Sequence, residues 1–502
     1  MKASITAHKQ FSVAKIDPRL YGSFIEHLGR AVYTGIYEPT HPSADDNGFR
    51  QDVIDLIKEI DVPVTRYPGG NFVSAYNWED GIGPKENRPT RLDLAWHTAE
   101  SNQVGIHEFA DWAEKVGTEM MLAVNLGSRG LDEARSFLEY VNHPGGTYWS
   151  DLRKHNGREE PWNVKLWCLG NEMDGPWQIG QKTASEYGRV AFETAKAMRS
   201  FDNNIELVVC GSSSPMMDTY PEWEATVLDY TYETVNYISL HMYFENNDTN
   251  TSHYLAKAEQ LGNYIETVAS IIRMTKAKKR SDHNVYISFD EWNVWYHSRE
   301  QDKPTIEGEN GWPHAPALLE DIYDFADTLQ VACILNTFIR NADVVKIGCM
   351  AQLVNVIAPI MTVEGGPAWR QSIFYPYMYA SQYGRGTALN LAVTCDRYET
   401  NFASNVSYLD ISCVESDQDD SLTFFIVNRH ETEAIDFDIA LEGFEHTRVI
   451  EDKIIGGYDL TQTNSPEAET IQPQDGKDST IIERKFNASI EPLTYRMVRL
   501  GL

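Results

Sequence analysis

The chain has 502 residues, 42% of them hydrophobic and 23% charged, which is the composition of a globular protein able to bury one large core and a second, smaller one. Its formal net charge is −31 at pH 7. Such a charge disfavours nucleic acid and anionic membrane surfaces as partners, and it suits a neutral substrate, although solubility alone would also account for it.

The chain begins MKASITAHK, without the apolar stretch of a signal peptide, and it contains no uninterrupted run of 18 apolar residues. The six cysteines include no CxxC pair, and most of them lie in apolar runs, as buried free thiols do. These features predict a cytoplasmic protein that neither spans a membrane nor depends on disulfides.

Eight short apolar runs alternate with helical patterns over the first three quarters of the chain. The predicted strands cover residues 21–27, 64–67, 121–126, 165–169, 207–210, 237–243, 285–290 and 345–353. Apolar residues recur with a period of 3.6 at 53–60, 184–198 and 254–274. This α/β alternation predicts a (β/α)8 TIM barrel over residues 15–384. A doubly wound open sheet is the alternative, weakened by the absence of a GxGxxG turn.

The pattern changes to a period of two near residue 385, and turn residues separate the runs. This pattern predicts a C-terminal antiparallel β-sandwich. Residues 4–13 also read as a strand, and we assign them to the same sandwich. The predicted second domain therefore consists of residues 1–14 plus 385–502.

Two glutamates each close an apolar run in a context of asparagine and tryptophan. Glu172 lies in WCLGNEMD (167–174), and Glu291 lies in ISFDEWNVW (287–295). A single glutamate after a strand is more often a capping or salt-bridge residue. Two of them, on strands four and seven, which we expect to face each other across the barrel, are the equipment for cleaving a glycosidic bond. Cleavage with retention needs the two carboxyl groups about 5–5.5 Å apart.

Other polar residues follow the predicted strands where a barrel gathers its site. They are Glu26, Arg66, Asn71, Asn125, Asn171, His241, Tyr243 and Gln352. We expect Asn171 to bind a sugar hydroxyl, and Tyr243 and Arg66 to donate hydrogen bonds to a nucleophilic carboxylate. Four tryptophans are either sugar platforms or core residues: Trp96, Trp177, Trp295 and Trp312.

The histidines show no spacing typical of metal ligands, so His241 is expected to form hydrogen bonds and no metal or cofactor is predicted. His107-Glu108 begins an HExxH-like string, but Asp111 stands at the last position, which argues against a zinc site. PGGN at 68–71 lacks the Gly-Lys-Ser/Thr of a phosphate loop and predicts a tight turn that presents Asn71.

The chain resembles the α-L-arabinofuranosidases of glycoside hydrolase family 51 over essentially its whole length. The resemblance rests on YGSFIEHLGR (21–30), RYPGGNF (66–72), residues 167–177 and residues 289–296. It implies a (β/α)8 barrel with a jelly-roll-like sandwich, and retaining exo-hydrolysis of terminal arabinofuranosyl groups from oligosaccharides. It also implies Glu172 as acid/base and Glu291 as nucleophile, and a homohexamer. The residues it implies to hold the furanose ring and the nucleophile are Glu26, Asn71, Asn171, Tyr243 and Gln352.

Two rival functions stay open from the residues alone. The nearer is another retaining glycosidase on the same barrel, such as a β-xylosidase or endoglucanase. The further is a sugar-binding protein without activity, which would have no need of a matched acid and nucleophile. The linkage (α-1,2, α-1,3 or α-1,5), and the choice between arabinan and arabinoxylan fragments, also stay open.

Overall fold

The computed structural model describes residues 1–445 and 447–502. Eight parallel strands pair in chain order and close into a barrel, because the eighth strand pairs with the first through Cys349 and Gly22. The predicted barrel is therefore confirmed. The barrel strands, numbered one to eight, are Gly22–Phe24, Val64–Tyr67, Glu119–Ala123, Leu166–Leu169, Glu206–Cys210, Tyr237–Phe244, Tyr286–Val294 and Val345–Met350.

In the described part of the chain, ten α-helices follow or connect these strands. They are Gln51–Ile60, Ile106–Val116, Leu131–Asn142, Tyr148–His155, Ala184–Phe201, Glu222–Thr231, Thr251–Lys279, Arg299–Ile306, Phe325–Arg340 and Phe374–Tyr383. Short 3₁₀ turns lie at Pro18–Tyr21, Asn71–Ala75, Trp78–Gly81 and Lys85–Asn87. In the first helix, Val53, Ile57 and Ile60 are buried at helical spacing, so its apolar face covers the barrel.

Two sheets stack against each other beside the barrel. One contains, in spatial order, Ala392–Thr394, Lys2–His8, Ile435–Glu442, Lys485–Ile490 and Thr480–Ile482. The other contains Ser12–Lys15, Gly386–Leu389, Leu409–Ser416, Ser421–Asn428, Thr494–Gly501, Arg448–Ile455 and Gln474–Asp475. Alternate apolar side chains such as Ile5, Phe424 and Phe437 form the core between them.

The sandwich differs from the sequence prediction in two details. The predicted strand at 4–13 is broken by a turn, and its halves join different sheets. In addition, one ladder is parallel rather than antiparallel, because Lys2–His8 runs alongside Ile435–Glu442 in the same direction. The exact division of the chain at residues 14 and 385 stays a prediction.

The outer face of the seven-stranded sheet packs on the barrel helix Phe325–Arg340. From this helix Asn336 and Arg340 bond to Asp410 of the sheet, over 2.9 and 2.7 Å. Three short hairpin ladders complete the fold: Arg91–Asp93 with Thr98–Glu100, Ile360–Thr362 with Ala368–Arg370, and Arg397–Tyr398 with Val406–Ser407. Among the described helices, none combines the length and apolar character needed to cross a bilayer.

Candidate active site

Glu291 lies on barrel strand seven, and strands two and six supply its partners. Arg66 of strand two donates from Nη1 to one carboxylate oxygen of Glu291 over 2.7 Å. The hydroxyl of Tyr243 on strand six donates to the other over 2.9 Å. Arg66 and Glu291 are buried, so both carboxylate oxygens receive strong, charge-stabilising hydrogen bonds in a site shielded from water.

Glu172 lies in the turn after strand four, with a positive φ of 43° that bulky residues rarely adopt. This backbone turns the side chain towards strand six, where Nδ1 of His241 lies 2.8 Å from Oε1. The other oxygen accepts a hydrogen bond of 2.7 Å from the indole of Trp177. Glu172 is buried, whereas Trp177 is 49% exposed, so the carboxyl group lies just behind the opening of the site.

A carboxylate oxygen of Glu172 and one of Glu291 lie within 4.8 Å of each other. The expectation that strands four and seven face each other is wrong, because strands five and six separate them on one side and four is opposite eight. The glutamates come close because both side chains point into the barrel mouth beside His241, whose Nδ1 also lies 3.6 Å from Glu291.

Glu26 follows strand one and lies at the centre of a second cluster. Its Oε1 accepts hydrogen bonds from the backbone N–H of Phe72 (2.8 Å) and the indole of Trp96 (3.0 Å). Gln352, after strand eight, donates to Oε2 and accepts from the backbone N–H of Glu26. A side chain at Gly70 would collide with this carboxylate, which explains a glycine there. Burial raises the pKa of Glu26 to about 8.

Asn171 joins the two clusters. Its Oδ1 accepts a hydrogen bond of 2.6 Å from Arg66, and its Nδ2 donates to Oδ1 of Asn71 over 3.3 Å. Gln178, which the sequence prediction missed, lies behind Asn171 and bonds to Ser74. Asn71 is only partly buried. A hydroxyl group in the mouth of the barrel can therefore reach amide groups from two different loops.

The remaining sequence candidates divide into those near the site and those outside it. Trp295 contacts Tyr243 edge to face, with ring centroids 5.7 Å apart. Trp312 packs near His97 instead, with 5.3 Å between the ring centroids. Asn125 accepts from the backbone N–H groups of Gly127 and Ser128, which is a turn-capping role. The structure thus brings Glu172 and Glu291 together with Glu26, Arg66, Asn71, Trp96, Asn171, His241, Tyr243, Trp295 and Gln352. Asn125 instead caps a turn, and Trp312 is 40% exposed.

Asp290 is a buried member of the cluster that the sequence prediction missed. Its Oδ1 lies 3.0 Å from Nε2 of His241 and accepts a hydrogen bond from Ser239. Ser239 of strand six pairs with Ser288 of strand seven, and His241 pairs with Glu291. Two steps along strand six are therefore matched by three steps along strand seven. This bulge adds one residue to strand seven, so that Asp290 and Glu291 both reach the interior although consecutive strand residues normally point to opposite faces.

Groups of both charge signs lie together in the barrel mouth. Burial by itself would lower the pKa of His241, but Glu291, Asp290 and Glu172 raise it to about 10. Burial likewise opposes the ionisation of Asp290, yet Arg66 and His241 hold its pKa below the ordinary value. The carboxylates around His241 therefore favour the charged form of its imidazole.

Among the residues that the structure describes, two groups of side chains have the spacing of metal ligands. One is Glu172, His241 and Glu291, and the other is His297, Asp324 and Asp327 near the start of the helix Phe325–Arg340. In the second group, Asp327 is already bonded by His297 (2.8 Å) and Tyr254 (2.7 Å). The acceptor oxygens of Asp327 are therefore occupied by protein donors.

Comparison with known proteins agrees with this geometry. The family profile described as "Alpha-L-arabinofuranosidase 1 domain" matches residues 56–261, and "Alpha-L-arabinofuranosidase C-terminal domain" matches residues 290–494. An intracellular exo-α-(1→5)-L-arabinofuranosidase of Halalkalibacterium halodurans is 53% identical, covering 100% of this chain and 99% of the relative. A protein named in the same way from Bacillus subtilis is 52% identical, covering 99% of both.

Solved structures show the same fold. The family 51 α-L-arabinofuranosidase of Bifidobacterium longum superimposes with a TM-score of 0.96 at 42% identity, covering 100% of both chains. The Thermotoga maritima α-L-arabinofuranosidase, solved as an arabinose complex, superimposes with a TM-score of 0.88 at 32% identity over the same coverage. The chain therefore belongs to the α-L-arabinofuranosidases of glycoside hydrolase family 51, and it is a glycosidase with exo-α-L-arabinofuranosidase activity.

Proposed function

We propose that this arabinofuranosidase works with retention of configuration, with Glu291 as nucleophile and Glu172 as acid/base. Glu291 attacks the anomeric carbon and forms an ester to the sugar, while Glu172 protonates the departing glycosidic oxygen. Glu172 then takes a proton from water, whose oxygen attacks the same carbon and releases arabinose and the Glu291 carboxylate. After each turnover the two glutamates have their original charges, covalent bonds and protons.

The observation that carries this proposal is the separation of the two carboxylates. One oxygen of each glutamate lies within 4.8 Å of the other, which fits the close pair of a retaining enzyme, with carboxyl groups about 5–5.5 Å apart, better than the about 6.5–9.5 Å of an inverting one. The surroundings support the assignment of roles. Glu291 bonds to a guanidinium and a phenol that favour its ionised, nucleophilic form, whereas Glu172 lies nearer the opening, where a leaving group departs.

For the terminal arabinofuranosyl ring we propose a set of hydrogen-bonding groups from four loops. Glu26, Asn71, Asn171 and Gln352 present carboxyl and amide groups, while Trp96 and Trp295 supply aromatic walls. Arg66 bonds to Glu291 and to the amide of Asn171, and His241 bonds to Glu172 and Asp290, so in this proposal the two side chains act by positioning Glu291 and Glu172.

The names of the relatives guide the proposal for substrate and setting. Five relatives, 44% to 53% identical to this chain, are named intracellular exo-α-(1→5)-L-arabinofuranosidases. We therefore expect short α-(1→5)-linked arabino-oligosaccharides, fragments of arabinan before those of arabinoxylan, to be the substrates inside the cytoplasm. Assembly into a homohexamer is part of the same proposal, and light scattering of the purified chain tests it.

The direct test is hydrolysis of 4-nitrophenyl α-L-arabinofuranoside beside 4-nitrophenyl β-D-xylopyranoside. We expect release from the arabinofuranoside to exceed release from the xyloside, and Glu291→Ala to abolish it. Proton NMR of the first sugar released distinguishes retention from inversion. Full activity of Glu291→Ala, or an inverted product, would contradict the mechanism without affecting the family assignment.

Two variants separate the acid/base from a general loss of charge. Glu172→Ala should lose activity on a glycoside with a poor leaving group, and added azide should restore turnover of the nitrophenyl substrate by replacing water as the attacking group. Glu224→Gln removes another buried glutamate, one that bonds to Ser212 rather than to the catalytic pair. It should leave both the rate and the azide response unchanged.

A further inference from the structure

Asp290, His241 and Glu172 form a chain of hydrogen bonds that the double-displacement reaction does not by itself require. The chain runs from Oδ1 of Asp290 to Nε2 of His241 over 3.0 Å, and from Nδ1 of His241 to Oε1 of Glu172 over 2.8 Å. Asp290 has no exposed surface, and His241 is 2% exposed. Water therefore has little access to any link of this chain.

We propose that the Asp290–His241 pair stores the catalytic proton for Glu172, with Asp290 as a positioning residue that determines how tightly the proton is held. This inference rests on the proposed role of Glu172 as acid/base. In the free enzyme the proton is on Nδ1 of His241, and Glu172 is ionised. When a glycoside occupies the site, the proton moves to Glu172 and from there to the glycosidic oxygen.

The proton balance closes over a full turnover. Departure of the leaving group consumes the proton and leaves His241 neutral and Glu172 ionised. Glu172 then takes a proton from the attacking water, and that proton returns to Nδ1 of His241. Throughout the cycle Nε2–H stays bonded to Asp290, whose negative charge stabilises the imidazolium state.

The direction of the first transfer follows from the partners of each group. In the free enzyme Glu172 accepts from both His241 and the indole N–H of Trp177, so both of its oxygens face donors, which favours the carboxylate. An incoming leaving group that displaces Trp177 and shields the site from water removes one of these donors. Glu172 then becomes the better place for the proton, at the moment when it is needed.

The carboxylates also favour the imidazolium over a neutral ring. The charged groups that face His241 directly are Glu172, Asp290 and Glu291, at 2.8, 3.0 and 3.6 Å. Arg66 and Tyr243 bond to Glu291, and Glu26 also acts on it electrostatically. The thiols of Cys168, Cys210 and Cys349 lie near Asp290 from strands four, five and eight. Although burial opposes the charge of His241, its pKa is raised to about 10 by Glu291, Asp290 and Glu172.

The test is the pH dependence of kcat/KM in Asp290→Asn, measured with methyl α-L-arabinofuranoside, whose leaving group needs a proton. Removing the charge of Asp290 weakens the hold on the stored proton. We expect the basic limb of the profile to move to lower pH by about 1 to 3 units. The matched control is Ser288→Ala, which removes a hydrogen bond of 3.1 Å to Asp290 but leaves its charge and its contact with His241. Its basic limb should match that of the wild type.

A leaving group that departs without a proton provides a second arm. With 2,4-dinitrophenyl α-L-arabinofuranoside, Asp290→Asn should lose much less activity than with the methyl glycoside. An equal loss on both substrates, or a basic limb that does not move, would overturn the proposal and leave Asp290 with a purely structural role.

A measurement on the wild type keeps the proposal testable if Asp290→Asn does not fold. Solid-state nitrogen NMR of the histidine-labelled enzyme, with the His241 signal assigned by its loss in His241→Gln, reports the state of the ring. We expect a doubly protonated ring at pH 7 without ligand, and a neutral ring would overturn the proposal. Because this reading does not depend on turnover, it is separate from the test of Glu172, in which full activity of Glu172→Ala would refute the proposed function.

Discussion

The guanidinium of Arg66 links Glu291 to Asn171, with hydrogen bonds of 2.7 Å to the glutamate and 2.6 Å to the asparagine. One buried cation thus fixes the proposed nucleophile and the amide proposed to bind the sugar. Its planar fork suits two acceptors at a fixed angle, which a lysine ammonium cannot reproduce. The spacing between nucleophile and sugar hydroxyl is therefore set by a side chain that need not contact the sugar.

We expect Arg66→Met to lower kcat/KM for 4-nitrophenyl α-L-arabinofuranoside by about 10²-fold or more, because the buried Glu291 loses the cation that bonds to it directly. Without Arg66, the Glu291 carboxylate takes up a proton more readily, so the acidic limb of the pH profile of kcat/KM should move to higher pH. Arg66→Lys should have a kcat/KM between that of the wild type and that of Arg66→Met. The control is Arg19→Met at the opposite end of the barrel, where Arg19 binds Glu119 and Glu206. An unchanged pH profile in Arg66→Met would refute this role.

Tyr243→Phe tests the other hydrogen bond to Glu291 without changing the packing. The phenylalanine ring retains the contact with Trp295, so the melting temperature should stay close to that of the wild type. Loss of a hydroxyl that donates over 2.9 Å to a charged group costs about 1.5–3 kcal/mol, or about 10- to 100-fold in kcat/KM. Steady-state kinetics with a parallel thermal melt measures both. A variant with the full rate would show that Arg66 alone suffices.

The sequence could predict those site residues whose position follows from a strand end. Glu26, Asn171 and Gln352 each follow an apolar run, and parallel strands bring such positions to one edge of a barrel. Asp290 could not be found in this way, because alternation along a strand assigns consecutive residues to opposite faces. The bulge that brings both Asp290 and Glu291 inside depends on pairing with strand six, which no local pattern encodes.

The contact of Trp96 with Glu26 illustrates a second limit. Trp96 lies between the two short strands Arg91–Asp93 and Thr98–Glu100, in a long loop after barrel strand two. Its indole reaches a carboxylate 70 residues earlier in the chain. Where a long loop folds back depends on its own turns and on tertiary contacts, so the sequence could indicate Trp96 as a candidate without giving its partner.

The ionisation of Glu26 should make the free energy of unfolding vary with pH even above the pH range in which glutamates usually titrate. Its pKa rises from 4.5 to about 8 in the folded chain, chiefly through burial. A raised carboxyl pKa stabilises the fold fully below the unfolded value, and that contribution is lost as pH rises through about 8. Relative to Glu26→Gln, which cannot ionise, the free energy of unfolding of the wild type should fall by about 1.4 kcal/mol per pH unit between pH 4.5 and about pH 8.

Urea unfolding of both proteins between pH 5 and pH 9 provides the measurement for Glu26. The difference between wild type and Glu26→Gln should widen up to pH 8 and level off above it. Glu193→Gln is the control, since this exposed glutamate has a lowered pKa through its contact with Lys196 and should show a constant difference above pH 5. A wild-type-to-Glu26→Gln difference that is flat from pH 5 to pH 9 would show that Glu26 is ionised throughout.

Asp410 is the buried charge that joins the sandwich to the barrel. It bonds to Arg340 over 2.7 Å and lies 3.0 Å from Arg429, whose side chain has no exposed surface. Burial alone would raise the pKa of Asp410, but the two arginines hold it below the ordinary value. A lowered pKa means that the stabilisation is present above the ordinary carboxyl pKa and is lost only as pH falls through the folded value.

Asp410→Asn should therefore lower the free energy of unfolding at pH 7 by about 3 kcal/mol. Among the described residues, it leaves the fully buried Arg429 with only the exposed Glu259 as a counter-charge. Asp417→Asn, which breaks the exposed pair with Lys15, is the matched control and should cost less than about 1 kcal/mol. Since Asp410 contacts no residue of the catalytic cluster, kcat/KM well below the melting temperature should stay unchanged. If Asp410→Asn were as stable as Asp417→Asn, the joint between sandwich and barrel would depend on apolar packing rather than on this buried charge.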